Sequence, residues 1–347
     1  MIKWGVIGAG GIAYRRTIPE GLLNARNAKL IAIQDLNVEI ADKIGSEFGV
    51  NVYKTEREIM EDKNIDVVYI ATPVYLHHNQ CINAARHKKN IFCEKILCLS
   101  EKEGIEIIDE CLKNNVKLGV GYMMRFNSLH LAIKEALRDN KIGKPIMARA
   151  QLSCWYPKIE GSWRQARKTG GGGSLTDMGS HCIDIIEFIF ESKVKEVSCI
   201  TANMVHDYEV EDTAIVTCRL DNGAFAIIDN CFNIPDNSSQ NFLEIYGSKG
   251  SILCKKTIGQ DSGGIAEFYI DQEQKEYNAG QKRIEDKSFG ITDEKKENIY
   301  KAEVEYFSNC VENNVQPQIS GELGLHQVRI IKACYESAKT KKIIEIN

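Results

Sequence analysis

Lys3-Trp4-Gly5-Val6-Ile7-Gly8-Ala9-Gly10-Gly11-Ile12-Ala13 is the stretch that decides the architecture. A short apolar run, Lys3 to Gly8, passes directly into G-x-G-x-x-A, at the point where an opening strand would enter a helix. Gly8 permits the tight turn, Gly10 lets the backbone approach a pyrophosphate with no Cβ in the way, and the small Ala13 lets helix and strand pack closely. Gly11 and Ile12 lead into the helix, whose amino-terminal N–H groups and positive dipole end favour phosphate. Glycine-rich turns are also common structural devices, so the surrounding chain has to supply the context.

Outward from this turn, short apolar runs alternate with helical patterns: Lys3 to Gly8, Leu30 to Gln34, Asp66 to Ala71, Ile91 to Cys93 and Lys117 to Gly121. Such alternation predicts a parallel sheet covered by helices on both faces, a doubly wound Rossmann domain over residues 1–121. The second run ends at Asp35. A carboxylate there accepts hydrogen bonds from ribose hydroxyls and repels a 2′-phosphate, and Leu36 and Asn37 follow rather than an arginine, which favours NAD over NADP. The competing role for Asp35 is a plain turn residue. Ser100-Glu101-Lys102-Glu103 reads as a capping box opening a helix, with Ile105, Ile108 and Leu112 as its expected buried stripe.

After residue 121 the pattern changes. Glycine-bounded β-type runs follow one another without helices: Thr213 to Leu220, Ala224 to Asn230, Phe242 to Tyr246 and Ser251 to Cys254. They predict an α+β domain over residues 122–347 with a large, mostly antiparallel open sheet. In the first run Ala214, Val216, Cys218 and Leu220 face a core, while Thr213, Thr217 and Arg219 face away on a side suited to pairing with a second subunit as a homodimer or homotetramer. Gly259 to Asn298 reads as surface hairpin and loop. Two helices close the chain, one with Tyr300, Val304, Phe307 and Val311 at helical spacing, the other from about Glu322 to Lys339, and they are candidates to pack back on the first domain.

Composition narrows the function. With 347 residues, 44 Lys plus Arg against 48 Asp plus Glu and a net charge of -4, the chain has no global field to attract nucleic acid or an acidic membrane. Small molecules are the expected partners. The 12 cysteines contain no C-x-x-C and sit singly in apolar stretches such as those of Cys111, Cys182, Cys218 and Cys334, as reduced core thiols. The amino terminus runs straight into a strand and no apolar run approaches membrane-spanning length, so a cytoplasmic protein is expected. Neither cysteines nor histidines recur at ligand spacing, so no metal site is expected.

The chemistry-bearing segments come in order: Ala71-Thr72-Pro73, His77, Cys93-Glu94-Lys95, Tyr122 with Arg125-Phe126-Asn127, and Gly170 to Gly173 followed by Ser174-Leu175-Thr176-Asp177-Met178-Gly179-Ser180-His181-Cys182-Ile183-Asp184. Together with the glycine turn, this series resembles the glucose-fructose oxidoreductase, inositol dehydrogenase and rhizopine-catabolism family (Gfo/Idh/MocA), and the resemblance runs from Gly5 to the last helix. It implies an NAD(P)-dependent oxidoreductase of a sugar, cyclitol or related polyol, with Lys95, Asp177 and His181 as catalytic residues. Gly8, Gly10, Gly11, Ile12, Asp35, Ala71, Thr72, Pro73, His77, Glu94 and Lys95 form the expected cofactor set, and Tyr122, Arg125, Asn127, Trp163, Arg164, Asp177 and His181 the substrate set. One residue departs from the family pattern: E-K-P reads Glu94-Lys95-Ile96 here, and a cis bond before a non-proline residue costs about 2.5 to 4 kcal/mol, so a different local backbone is expected.

The residues support this independently. Asp177, His181 and Asp184 fall at i, i+4 and i+7, one polar face of a helix beside the apolar Met178, Cys182, Ile185 and Ile189. A solvated face is the bland alternative; the four glycines upstream shift the weight, bringing backbone close to something and leaving a mobile approach. Hydride would leave the carbinol carbon for nicotinamide while His181 takes the hydroxyl proton, because a histidine ordinarily titrates near 6.5 (an approximate free value) and can return it near neutrality. Lys95 would hydrogen-bond the same oxygen, Asp177 would orient substrate or tune both, and Asp184 would support the helix. Trp155-Tyr156 and Trp163-Arg164 offer rings and a guanidinium to a sugar, with core packing as the alternative for the tryptophans, and an interdomain salt bridge is the alternative for Arg125. His78 and His206 read as surface residues. Two other functions fit the same motifs: a glycoside hydrolase using transient oxidation on a held NAD, and a non-catalytic dinucleotide-binding regulator.

Overall fold

The computed structural model describes residues 1–271, 276–277, 279–280, 287–292 and 297–346. The strands are β1 (Ile2–Ile7), β2 (Ala28–Gln34), β3 (Asn51–Tyr53), β4 (Val67–Ile70), β5 (Asn90–Glu94), β6 (Leu118–Gly121), β7 (Pro145–Gln151), β8 (Val194–Ala202), β9 (Thr213–Leu220), β10 (Phe225–Cys231), β11 (Phe242–Gly247), β12 (Gly250–Lys255), β13 (Ile265–Ile270), β14 (Phe289–Thr292) and β15 (Ile344–Glu345). The α-helices are α1 (Val38–Phe48), α2 (Glu56–Glu61), α3 (Val74–Arg86), α4 (Glu101–Asn114), α5 (Ser128–Arg138), α6 (Arg167–Gly170), α7 (Ser180–Phe190), α8 (Ile299–Glu312) and α9 (Gly321–Thr340). The chain forms two compact units, Met1–Met123 with Gly161–Gly171 and Asn298–Arg329, and Met124–Glu160 with Gly172–Glu297 and Ile330–Asn347.

In the first unit, six parallel strands take the order β3-β2-β1-β4-β5-β6, the doubly wound arrangement in which the strand order reverses beside β1. The short β3 was not anticipated. β1 enters a π-helical segment, Ala13–Leu22, that holds Pro19. Four aromatic rings knit the core: Trp4 lies edge-on to Phe92 at 5.7 Å and to Phe307 at 5.8 Å, and Tyr69 lies 5.6 Å from Phe92. The Trp4 indole N–H donates to Ser308 Oγ at 3.1 Å, which gives the buried ring's polar edge a partner. The Ser100 capping box is present, with Ser100 Oγ accepting from Glu103 N and Glu103 accepting from Ser100 N. The expected stripe of α4 is rotated, however. Ile105 is 42% and Leu112 61% exposed, and the buried positions are Gly104, Ile107 and Cys111. Packing chose small residues there: a Cβ on Gly104 would lie 2.8 Å from Leu325 Cδ1, so α4 turns its smallest residues towards α9.

In the second unit, nine strands take the order β14-β13-β12-β11-β7-β10-β9-β8-β15, antiparallel except for the parallel β7–β10 pair. Ala214, Val216, Cys218 and Leu220 are buried and Ile215, Thr217 and Arg219 exposed, as the alternation in β9 required. β7, β8 and β15 join strands that the sequence announced more plainly. The stretch expected as hairpin and loop from Gly259 supplies β13 and β14, which lengthen the sheet; its residues 272–275, 278, 281–286 and 293–296 lie outside the described residues. The inward positions of β7 and β10 include Ala148, Ala150 and Ala226, all buried, and these small side chains let α7 lie close against the sheet. Every residue of α7 is buried, so the solvated polar face considered for it does not exist. All 12 cysteines are free thiols, ten buried and Cys154 and Cys231 half-buried.

Candidate functional site

The glycine turn is fixed by contacts that exclude larger residues. Gly8 has φ +82°, and a Cβ there would lie 2.7 Å from Thr72 Cγ2, so the turn backs directly onto the end of β4. Gly10 N donates to Asp35 Oδ2 at 2.8 Å and Asn37 N donates to Asp35 Oδ1 at 2.9 Å. Asp35 therefore serves as the turn residue that locks the end of β2 to the glycine loop, and each oxygen keeps a second lone pair. A Cβ on Gly10 would meet Ile40 Cγ2 at 3.0 Å and Asp35 Oδ2 at 3.2 Å, whereas one on Gly11 would have only Ala71 O, at 3.9 Å. Ile12 precedes the helix without a side-chain cap and Ala13 is fully buried, which leaves this end of the helix to backbone donors.

At the neighbouring strand ends, Pro73 opens α3 and Thr72 Oγ1 donates to Gln80 Oε1 at 2.5 Å. His77 is buried, its Nε2 2.9 Å from Thr72 O and its Nδ1 3.1 Å from Ile96 O. Both nitrogens thus face protein carbonyls, and His77 ties the wall behind Gly8 to the residue after Lys95. Desolvation lowers its pKa and the carbonyls oppose that shift. The Lys95–Ile96 bond is cis although residue 96 is not proline. Glu94 ends β5. Tyr69 Oη donates to its Oε1 at 2.6 Å, Tyr69 Oη also lies 3.0 Å from Thr17 Oγ1, and desolvation raises the Glu94 pKa against the lowering pull of Tyr69, Lys95 and Arg164. The Arg164 guanidinium stacks 4.2 Å from the Trp163 ring, and these two residues belong to the first unit with Lys95 and the buried Tyr122.

In the second unit a π-helical turn, Leu175–Gly179, carries Asp177 and runs straight into α7 with His181 in its first turn. His181 is buried and Asp177 half-buried. The glycine run is packed against protein: a Cβ on Gly172 would overlap Tyr335 Oη, one on Gly173 would overlap Glu211 O, and Gly171 takes φ +80°. Asp184 is 1% exposed and receives a bidentate bond from Arg125, Nη2 to Oδ1 at 2.7 Å and Nε to Oδ2 at 2.9 Å, so the Arg125 pair lies within one unit. Asn127 is buried, capping α5 by accepting from Leu129 N and donating to Gly263 O at 3.3 Å. Trp155 is 43% exposed, edge-on to His206, whose ring stacks on Tyr208 and whose Nε2 faces Phe232 O; His206 is half-buried rather than on the surface. His78 is also half-buried, beside Glu106. The sequence reading missed Glu211, Tyr335 and Tyr69. Glu211 sits in a Glu-Asp pair just before β9, which is a local signal for a loop anchor, and Asp212 does accept from three successive backbone N–H groups.

Among the described residues no group of three or more His, Cys, Asp or Glu side chains is placed to hold a metal, and no helix is long and apolar enough to cross a membrane.

Comparison with known proteins agrees with this geometry. Residues 2–122 match the profile of an oxidoreductase family with an NAD-binding Rossmann fold, and residues 130–253 match the GFO/IDH/MocA C-terminal domain. A 1,5-anhydro-D-fructose reductase of Ensifer adhaerens is 26% identical over 348 residues, covering 100% of this chain and 99% of the relative. A myo-inositol 2-dehydrogenase of Thermotoga maritima is 28% identical over 357 residues, covering 99% and 98%. The fold is shared with an aldose-aldose oxidoreductase from Caulobacter crescentus crystallised with glycerol, TM-score 0.86 at 21% identity over 99% of each chain. The chain belongs to the Gfo/Idh/MocA family of oxidoreductases.

Proposed function

We propose that the protein transfers hydride between a nicotinamide dinucleotide and a carbinol or carbonyl carbon of a sugar, cyclitol or related polyol. The observation that carries this reading is the glycine turn, held between Thr72 and Asp35, in the same unit as Lys95 at the carboxyl end of the parallel sheet. The turn fits the cofactor: the space beside Gly11 is open, with only Ala71 O within reach of a Cβ there, at 3.9 Å, and the adjoining helix end offers backbone donors. Gly8, Gly10, Gly11, Ile12, Asp35, Ala71, Thr72, Pro73, Glu94 and Lys95 would hold it, with His77 acting through backbone, and the bound nicotinamide supplies the hydride acceptor. Asp35 favours NAD over NADP, because a 2′-phosphate would meet its carboxylate.

His181 takes the hydroxyl proton, Lys95 hydrogen-bonds the same oxygen and stabilises developing alkoxide, and Asp177 orients the substrate. Tyr122, Trp163 and Arg164 complete the substrate set, while Arg125 and Asn127 act by holding α7 and α5. The protein works in the cytoplasm as a homodimer or homotetramer through the outer face of the nine-stranded sheet, where Ile200 is 70% exposed and Ile215 and Phe225 lie open; light scattering of an Ile215→Asp variant tests that face, and an unchanged mass would remove it.

The activity test is a panel of polyols and sugars with NAD and NADP, followed by absorbance of the reduced cofactor. Lys95→Ala and His181→Ala are expected to lose about 10² to 10⁴-fold in turnover. Near-native turnover in both variants would overturn the assignment. Glycone release without net absorbance change would identify a hydrolase, and cofactor binding with no turnover of any substrate a regulator.

A further inference from the structure

The second unit holds the start of its Asp177–His181 segment through side chains from two distant places. Glu211, which is buried and precedes β9, accepts from Gly173 N at 3.0 Å and Leu175 N at 3.2 Å through one oxygen, Oε1. The same oxygen accepts from Tyr335 Oη at 2.7 Å, and Tyr335 Oη lies 2.9 Å from Thr176 Oγ1. The Glu211 backbone adds a fourth tie, its carbonyl accepting from Ser174 N at 3.1 Å. Gly172 and Gly173 have no room for a Cβ because Tyr335 Oη and Glu211 O occupy those places. Four consecutive residues, 173 to 176, are thus each bonded to Glu211 or Tyr335, immediately before Asp177.

We propose that Glu211 and Tyr335 are positioning residues for the reaction: they fix the entry to the π-helical turn and so set where Asp177 and His181 point. The proposal rests on the reading that those two side chains meet the substrate. Neither Glu211 nor Tyr335 needs to touch a ligand for this. Three donors converge on Glu211 Oε1, so the role is that of a geometric acceptor. A glutamine, which keeps a carbonyl oxygen in that place, should therefore substitute.

The test uses the full chain with Tyr335→Phe, which keeps the ring and deletes the hydroxyl, and Glu211→Gln as the conservative variant. In Tyr335→Phe, amide exchange read by mass spectrometry is expected to quicken about 10-fold over residues 172–180 and to stay unchanged over residues 2–34, as loss of two hydrogen bonds at one hydroxyl implies. Turnover of whichever member of the polyol and sugar panel the parent protein oxidises fastest is expected to fall about 10-fold or more, with NADH affinity by fluorescence unaltered, because a small displacement of reacting groups acts on kcat. Glu211→Gln is expected to stay within about 3-fold of the parent on every measure. Unchanged exchange in Tyr335→Phe, loosening spread evenly over the chain, or local loosening with full turnover would each overturn the proposal. If the parent protein turns over no polyol, the proposed activity fails on that result alone, and the His181 ring Cε1–H signal in Tyr335→Phe still decides the positioning: a shifted signal supports it and an unmoved one refutes it.

Discussion

Breaking the Arg125–Asp184 pair should cost far more than replacing it. Arg125 presents Nε and Nη2 to both oxygens of a carboxylate that is 1% exposed, and its own side chain is 11% exposed, so solvent screens neither charge well. Removing one partner leaves the other charge buried without compensation, a loss of about 3 to 5 kcal/mol, whereas apolar residues of similar volume at both positions avoid the desolvation cost and bring the change to within about 1 kcal/mol. The variants are Asp184→Ala, Arg125→Met and the double variant Arg125→Met with Asp184→Leu. Because the chain has two units, a single unfolding free energy is not defined for it. Native-state hydrogen exchange at the amides of α7 reads the relevant quantity locally. For a domain of 150 to 250 residues the single losses correspond to a melting decrease of roughly 6 to 20 °C. The reasoning is refuted if either single variant loses less than about 1 kcal/mol at α7, or if the double variant is as unstable as the worse single one.

Gly8→Ala should lower melting temperature and abolish dinucleotide binding, since the new methyl meets Thr72 in a positive-φ conformation, while Gly11→Ala should fold normally; equal stability of the two by calorimetry would contradict the geometry. Asp35→Ala should raise the NADP-to-NAD ratio of kcat/KM by about 10-fold or more, because it removes the charge facing a 2′-phosphate, and an unchanged ratio in initial-rate assays would show that Asp35 is only the lock on Gly10. Stability should also weaken in mild acid through His130. This imidazole is fully buried with Nδ1 2.8 Å from Met124 O, and desolvation pushes its pKa down to about 4. Between that value and the free value near 6.5 the unfolded chain binds a proton that the folded chain does not, so stability is whole above about pH 6.5 and falls as pH drops towards 4. The expected loss from pH 7 to pH 5 is about 2 kcal/mol, read by native-state hydrogen exchange at the amides of α5, and a His130→Leu variant that kept the same pH dependence would exclude His130 as its source.

What the amino-acid sequence disclosed and what it hid divide along the range of the forces involved. The glycine turn, the capping box at Ser100 and the alternation of β9 are each set by atoms a few residues apart, and each was readable. β7 and the buried face of α4 were not, for one shared reason: where another element packs closest, the contact residues are small, Ala148, Ala150, Gly104 and Cys111, and a hydrophobic pattern is faintest where packing is tightest. The site follows the same rule. The four-residue step from Asp177 to His181 placed both on one segment, but what aims that segment comes from Glu211, 38 residues from Gly173, and from Tyr335, 159 residues from Thr176. Arg125, a candidate for substrate contact in the sequence, and Asp184, a support for its helix, lie 59 residues apart, and only the geometry joins them into one buried pair. The residues that bring chemistry announce themselves by type and spacing. Those that give the chemistry its geometry are ordinary glutamates, tyrosines and arginines whose purpose exists only in three dimensions, so a substitution at Tyr335 with no local motif around it is the one expected to separate turnover from cofactor binding.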